Sequence, residues 1–503
     1  MHFNIKSVLR KHGFVDKNIY KNIYIELYKS IKEGILKGDL QIDLRLPPTR
    51  ILAKDMEVSR STVIKAYDLL LVEGFIRSIT GSGYYINAVQ NVEENQNDKI
   101  LLKFGGYPQI SKKARAFQKN RLLPRNKEVG VAFRPGLAPL DVFPTHIWRQ
   151  LSNEYWSNVK PSELSYSHTF GIQELRENIV KYLKVFRNIH ADPKQIVITT
   201  GSLHSLFLIA SSLIDKKNQV VVENPTYPLA MQLFKSMKAD IRHADVDSEG
   251  IMIDRVDCDQ PKIIYITPSN QYPSGNKMSL NRRLEVLQWA TEKRALIIED
   301  DYDHEFSNWN EPVNSLYSLD MQDRVVYLGT FNKLLHPSLR IGYMIIPRFL
   351  SDTIEGVCQH SNRFVAPSLQ VVLSKFIERD HLNKHIRNVM EVAQERKKIF
   401  VKAFQKEFKG LIELEGDNHG MYIIGHLPKH ISDKKLAAYL KNNGIVAHAL
   451  SNYFIGDHNE SGLVMGYSSV HNTLIKESIR KMKSLIDSYQ LSHQSFILPA
   501  KAH

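Results

Sequence analysis

Cysteine is almost absent: Cys258 and Cys358 are the only two in 503 residues. They are too few for a disulfide framework and are not spaced as metal ligands, which fits a reducing compartment and leaves both as core thiols. Long apolar runs are missing too. None approaches the roughly 20 residues needed to cross a bilayer, so no membrane span is expected. The opening stretch MHFNIKSVLRKHGF is basic but lacks an apolar segment followed by a small-residue cleavage site. No secretion signal is expected, and the expected location is the cytoplasm. What the chain has in excess is positive charge, net +14 with a pI of about 9.3. Such a balance suits a polyanion, because bound Lys and Arg release counterions from a phosphate backbone, but an anionic membrane would attract it equally. The position of the charge has to decide. The length predicts two or more domains.

Residues 20–37, YKNIYIELYKSIKEGILK, set Ile23, Leu27, Ile31 and Ile35 at every fourth position, with Tyr24 and Tyr28 widening the stripe into an amphipathic helix. Gly38 and Asp39 end it. LPPTRILAKDMEV follows as a short second helix with Pro48 in its first turn and Leu52 and Met56 buried. VSRSTVIKAYDLLLVEG starts a third, capped by Ser59 or Ser61 and burying Val63, Tyr67, Leu70 and Leu71 before Gly74. FIRSITGSGYYI then alternates around Gly81, Ser82 and Gly83 as a hairpin. Three helices and a hairpin make a winged helix, expected over 18–88. The polar stretch AVQNVEENQND opens an expected linker over 89–127, whose basic residues from Lys112 to Lys127 can touch DNA or a partner subunit.

Over 128–490 the apolar runs QIVITT, QVVVEN, KIIYIT, ALIIED and RVVYLG alternate with helical stretches such as SLHSLFLIASSLI. Buried strands separated by helices predict an α/β domain with a mainly parallel sheet. After about Ile346 the pattern is helical and ends in a smaller α+β portion, with IELEG, GMYIIG and GLVMGY as strands. No internal repeat is evident.

In a helix-turn-helix the second helix of the pair enters the major groove by its N-terminal end. Here that end carries Arg60, Ser61 and Thr62, with Lys65 one turn later. Arg reads guanine through two hydrogen bonds, whereas Ser, Thr and the helix terminus suit phosphate oxygens. Arg50 adds a phosphate contact, and the wing offers Arg77 with the backbone of Gly81, Ser82 and Gly83. Each Arg alone could be a solvated surface charge; the joint pattern carries the argument. The run LRLPPTRILAKDMEVSRSTVIKAYDLLLVEGFIRSITGSGYYI resembles the winged helix-turn-helix of GntR-type bacterial regulators over almost all of residues 20–86. Double-stranded operator DNA is the partner this implies.

Pyridoxal phosphate chemistry needs a lysine for an imine, an acid for the pyridine nitrogen and a cradle for the phosphate. In YLGTFNKLLHPSLRIGYM, Lys333 follows an apolar strand, and Arg340 can turn back to the same pocket with its planar fork. In ALIIEDDYDHEF, Asp300 and Tyr302 stand at the C-terminal end of another strand, where ligands gather in open α/β sheets. Asp300 suits the pyridine nitrogen and Tyr302 the ring hydroxyl. Glu299, Asp300, Asp301 and Asp303 together could instead bind a divalent cation; with Lys and Arg downstream, no metal is expected. Gly201 and Ser202 occupy a strand-to-helix turn able to hold phosphate. Tyr227 in ENPTYPLA can stack on the ring, or simply belong to the core.

Together these segments resemble fold-type I aminotransferases over roughly 128–485. The forms TPSNQYPSG, EDDYDHEF and GTFNKLLHPSLRIGYM are similar to those of the MocR subgroup of GntR regulators, which join both modules in this order. The resemblance implies pyridoxal 5′-phosphate, with Lys333 as Schiff-base lysine, Asp300 on the pyridine nitrogen, Tyr302 at the ring hydroxyl, Arg340 and Ser202 on the phosphate, and Tyr227 stacking. It also implies a homodimer in which Tyr166 is offered to the neighbouring subunit's phosphate. Asn270 departs from the histidine common at its position.

Aminotransferases fix a substrate carboxylate with arginine. The positions where the resembling regulators carry such arginines hold Leu229 and Asn452 here, and Arg134 and Arg363 are the substitutes. Three readings follow. A regulator senses a small amino compound through an aldimine at Lys333; a working aminotransferase carries a DNA-binding arm; or a repressor responds to pyridoxal phosphate alone.

Overall fold

A computed structural model describes residues 5–14, 22–88, 109–121, 132–306, 314–415 and 420–494. The chain divides into two compact units, Met1–Gln109 and Ile110–His503.

The first unit holds α1 (Ile5–Lys11), α2 (Ile23–Leu36), α3 (Thr49–Asp55) and α4 (Arg60–Val72), followed by the antiparallel wing β1 (Ile76–Ile79) and β2 (Gly83–Ile86). The periodic positions face inward as expected: Leu27, Ile31, Ile35, Leu52, Met56, Val63, Tyr67 and Leu70 form one core. Ile5, Leu9 and Phe14 join it, so the packed unit begins before the expected boundary at residue 18. Of the two serines weighed as cap, Ser59 fills the role, its Oγ accepting the amide of Thr62 at 3.1 Å. Leu44 and Leu46 exchange backbone hydrogen bonds with Ile86 and Tyr84, adding an unanticipated third edge to the wing.

The second unit opens with α5 (Lys112–Lys119), capped by Ser111. This corrects the expected linker. Phe117 docks its ring 6.4 Å from that of Phe207, which ties the helix to the second unit. Residues 89–108, where the polar linker was expected, lie outside the described residues.

An eight-stranded sheet follows, built from β3 (Ile196–Thr199), β4 (Gln219–Asn224), β5 (Asp240–Asp247), β6 (Gly250–Ile251), β7 (Pro261–Ile266), β8 (Leu296–Asp300), β9 (Val325–Thr330) and β10 (Gly342–Ile345). Its order is β3-β10-β9-β8-β7-β4-β5-β6. The centre is parallel, and β10 runs antiparallel between β3 and β9. All five apolar runs named from the sequence are strands here; β5, β6 and β10 were not anticipated. Apolar clusters cover both faces of the sheet, as a buried parallel sheet requires. The C-terminal portion is a second sheet of β11 (Glu413–Leu414), β12 (Tyr422–His426), β13 (His448–Ala449) and β14 (Gly462–Gly466). It packs on the helices His381–Phe408 and Asn472–Gln494 through Phe400, Phe404, Ile475 and Met482. Among the described residues no helix is long and apolar enough to cross a membrane.

Candidate functional site

Successive side chains of a strand point to opposite faces, and the end of β8 uses this to separate its acids. Glu299 accepts the amides of Leu316 and Tyr317 at 2.9 Å each and lies 3.5 Å from the fully buried Arg283. Asp301 pairs with Arg187 at 2.8 Å and accepts from Tyr327 at 2.6 Å. Burial alone would raise the Asp301 carboxyl, but Arg187 and His304 outweigh it and hold it at about 2. Asp300 points the other way. Its Oδ2 accepts the Tyr265 hydroxyl at 2.8 Å, while its Oδ1 is buried with no hydrogen-bond partner among the described residues. Burial pushes this carboxyl up to about 6. Asp303 accepts Asn270 Nδ2 at 2.6 Å, and burial raises it well above the carboxylate range. The four acids thus serve separate partners, and among the described residues no group of three His, Cys, Asp or Glu gathers as metal ligands.

Lys333 stands on the turn after β9, with Nζ 5.2 Å from the Tyr302 ring centroid. Burial lowers its pKa against the opposing pull of Asp303 and Asp300. Gly136, at φ +76°, comes so close that a Cβ there would sit 2.3 Å from Lys333 Nζ. The Tyr302 hydroxyl donates to the Asn270 carbonyl at 3.0 Å and meets that of Tyr422 at 3.1 Å. Tyr227 ends the turn after β4 half-buried, edge-on to Tyr272 at 5.5 Å.

Gly201 (φ +114°) precedes the helix Ser202–Leu213, whose first residue, Ser202, is half-buried. A Cβ on Gly201 would lie 2.7 Å from Asn332 Nδ2, and one on Gly342 would lie 2.8 Å from Gly201 Cα. Glycine is therefore what lets β10 press against this helix start. Arg340, in left-handed backbone at φ +54° just before β10, is exposed and makes no ion pair among the described residues. Its charge reaches His204 on the same helix, where it adds to burial in lowering the imidazole.

Lys333, Asp300 and Tyr302 thus form one cluster, and Arg340, Gly201 and Ser202 gather at one helix start. Tyr166 makes its contacts elsewhere: it is 78% exposed, with the Arg363 guanidinium carbon 4.7 Å from its ring. Leu229 is half-buried and Asn452 exposed. Arg134 sits two residues before Gly136. Sequence reasoning missed Gly136, Tyr265, Asp303 as a neighbour of Lys333, and Asn332. Asp303, Tyr265 and Asn332 lie within stretches already singled out, EDDYDHEF, KIIYIT and GTFNKLLHPSLRIGYM, but nothing local marks their roles.

In the first unit Arg50, Arg60, Ser61, Lys65, Arg77 and Gly81 are exposed, and Thr62 and Ser82 half-buried. Arg60 Nε donates to Thr49 Oγ1 at 3.4 Å, which joins the starts of α3 and α4. Ser61 and Thr62 share the Ser59 hydroxyl at 2.8 Å each. Lys65 lies 5.6 Å above the Tyr24 ring. Arg77 is held by Asp43 at 2.5 Å and Asn87 at 3.1 Å. On the wing tip Gly81 takes φ +78° and Ser82 meets the Tyr85 hydroxyl at 2.6 Å. Arg45, missed from the sequence, lies along the wing against Gly83.

Residues 141–454 match the family described as aminotransferase class I and II, and residues 23–86 match the gntR family of bacterial regulatory proteins. The HTH-type transcriptional regulator YdeL of Bacillus subtilis is 30% identical over 441 residues, 88% of this chain and 92% of that one. The probable rhizopine catabolism regulatory protein MocR of Rhizobium meliloti is 29% identical over 442 residues, covering 88% and 89%. The chain belongs to the MocR subgroup of GntR-type regulators. A MocR-type regulator joins a DNA-binding winged helix to an aminotransferase fold. The fold match includes the Pyrococcus horikoshii kynurenine aminotransferase solved with PMP, at TM-score 0.64 and 25% identity over 76% of this chain and 95% of that one. The family implies pyridoxal 5′-phosphate. The residues present fit it: a half-buried lysine amine, a buried carboxylate oxygen that lacks a donor among the described residues, and an arginine beside a helix start that makes no ion pair among them.

Proposed function

We propose that this MocR-type regulator holds pyridoxal 5′-phosphate at Lys333, senses a small amino compound there, and so changes how two winged helices of a homodimer are presented to operator DNA. When bound, the cofactor supplies an aldehyde that condenses with primary amines and an electron-withdrawing ring. Everything else falls to the chain. The unpartnered Oδ1 of Asp300 receives the pyridine N–H, while Tyr265 fixes the other oxygen. Lys333, whose ammonium form is disfavoured by burial, offers a neutral amine as nucleophile. Were a ligand amine to take its place, the Lys333 amine would remain in the same pocket, where Asp303 and Asp300 pull against burial toward the protonated form. Arg340, Ser202 and the amide after Gly201 take the phosphate at a helix N-terminus. Tyr227 stacks on the ring, and Tyr166, exposed on its own chain, reaches the partner subunit's phosphate. Arg60 reads a base, with Arg50, Ser61, Thr62, Lys65, Arg77, Gly81 and Ser82 along the backbone.

The observation that carries this reading is the half-buried Lys333 amine over the Tyr302 ring, in a cluster with the Asp300 oxygen that has no donor among the described residues. Its test is the visible absorbance of the purified protein, titrated with amino acids, amines and D-amino acids, with and without an α-keto acid. A band that shifts with one ligand and shows no keto-acid turnover is the expected result. Sustained turnover would make the protein an enzyme first, and a colourless chain that cannot be reconstituted would overturn the cofactor assignment. Operator binding controlled by the cofactor alone would favour the repressor that answers to pyridoxal phosphate itself.

A further inference from the structure

The helix Lys112–Lys119, KKARAFQK, contains no acid and at least one positive charge on every turn. At about 100° per residue the cations divide, with Lys113 on the side of Phe117 and Lys112, Arg115 and Lys119 on another. Ala116, Phe117 and Asn120 point inward and are half-buried, and Phe117 anchors the helix against Phe207. Lys112, Arg115 and Lys119 fall within about 60° of one another on the outer side. All three are exposed, with Lys113 and Arg121 flanking them, and none of the three makes an ion pair among the described residues. The spacing of three and four residues lays them along a line, which suits a chain of phosphates rather than one small anion.

We propose that this stripe is a second DNA contact, gripping the phosphate backbone of duplex beyond the stretch covered by the winged helices. The inference rests on DNA binding by the winged helix and not on the cofactor. A membrane-surface helix would need its apolar face free to insert, and here that face is already docked on the sheet unit through Phe117. A protein partner bound in the usual way would want large apolar anchors on the outer side, where the exposed residues are cations, Ala114 and Gln118. DNA asks for neither. Residues 89–111 tether the helix to the wing at no more than about 3.5 Å per residue, so duplex held by the winged helix stays concentrated near the stripe. Being sequence-independent, this contact adds affinity and salt dependence without altering which operator is chosen.

The test uses the full chain and mixed-sequence duplexes, since backbone contacts need no operator. One duplex spans only two half-sites, about two helical turns; the other extends well past it on both sides. In the wild type the slope of log affinity against log salt is steeper on the long duplex. The triple variant Lys112→Gln, Arg115→Gln, Lys119→Gln lowers that slope by about 0.9 per lost phosphate contact, about 2 to 3 in all. Its affinity for the long duplex falls about a hundredfold near 0.15 M salt, whereas binding to the short duplex is unchanged. The long duplex also protects Lys112 and Lys119 of the wild type from chemical acetylation, a readout that needs no variant. Arg50→Ala, which removes a proposed backbone contact of the winged helix, weakens both duplexes, so a failure of the winged-helix reading is separable from a failure of this one. Equal slopes on the two duplexes would overturn the proposal. So would an unaltered long-duplex slope in the triple variant, including the case where its self-association or vesicle binding changes instead.

Discussion

In the first unit Arg50, Arg60 and Lys65 stand in water, and Arg77 pairs with Asp43 while both side chains stay largely exposed, at 44% and 69%. In the second unit Arg187 and Arg283 pair with Asp301 and Glu299 almost out of solvent's reach, at 8% exposure or less for every partner. Exposed pairs gain little because water screens them. Buried pairs cannot lose one member without stranding the other in a medium that solvates it poorly. A surface that meets a polyanion needs charge it can release; a site that fixes a ring needs charge that stays where it is put. The difference teaches that the same residue types serve recognition in one unit and positioning in the other.

The comparison can be broken most directly at Lys333. Lys333→Ala should abolish the visible band of the bound cofactor entirely while the winged helix stays folded, as circular dichroism would report; a retained band moves the attachment to another lysine. Next in size is Arg187→Ala, which leaves Asp301 charged and buried and should destabilise the second unit by about 3–5 kcal/mol. All four tryptophans, Trp148, Trp156, Trp289 and Trp309, lie in that unit, so the midpoint of their fluorescence transition in urea measures it alone. A change under about 1 kcal/mol would mean the pair behaves like a surface one.

Arg60→Ala should weaken operator binding by about 1–3 kcal/mol if it reads a base, with no change in that tryptophan transition. An unaltered affinity and salt slope would remove Arg60 from the interface. For Asp300 the effect is a matter of pH. Its carboxyl titrates at about 6 in the cofactor-free chain because burial disfavours the anion. The charge that favours a pyridinium is therefore present above 6 and lost as pH falls through it, so cofactor affinity should drop below about 6. Asp300→Asn should flatten that dependence. The smallest effect belongs to Arg77→Ala, worth at most about 1 kcal/mol of stability; a larger loss in thermal melting would show that this exposed pair works like the buried ones.

Much of this was legible in the chain. The five central strands announced themselves because strands buried on both faces must be apolar throughout. That Lys333, Asp300 and Tyr302 stand together was readable because each lies at or just past the end of such a strand. Other features hid for definite reasons. β5, DIRHADVD, is only partly buried along most of its length and so carries no apolar run. β10 is short and follows directly on the lysine-to-arginine segment, which masked it as a strand. The approach of Gly136 to Lys333 joins residues far apart in the chain, and nothing local marks it. The helix Lys112–Lys119 looked like linker because its single anchoring ring, Phe117, is a weak apolar signal among so many cations.

The alternation at Glu299, Asp300 and Asp301 also bears on how such a chain can change over generations. Two of these acids belong to the buried arginines and the one between them to the candidate cofactor site, and parity along the strand alone tells them apart. A point substitution can retune Asp300 and leave its neighbours in place. An inserted or deleted residue in β8 would exchange their faces, handing the ring's acid to the arginines and an arginine's acid to the ring. Lineages of this protein should therefore vary in length in the loops around β8, while the strand itself tolerates only replacement.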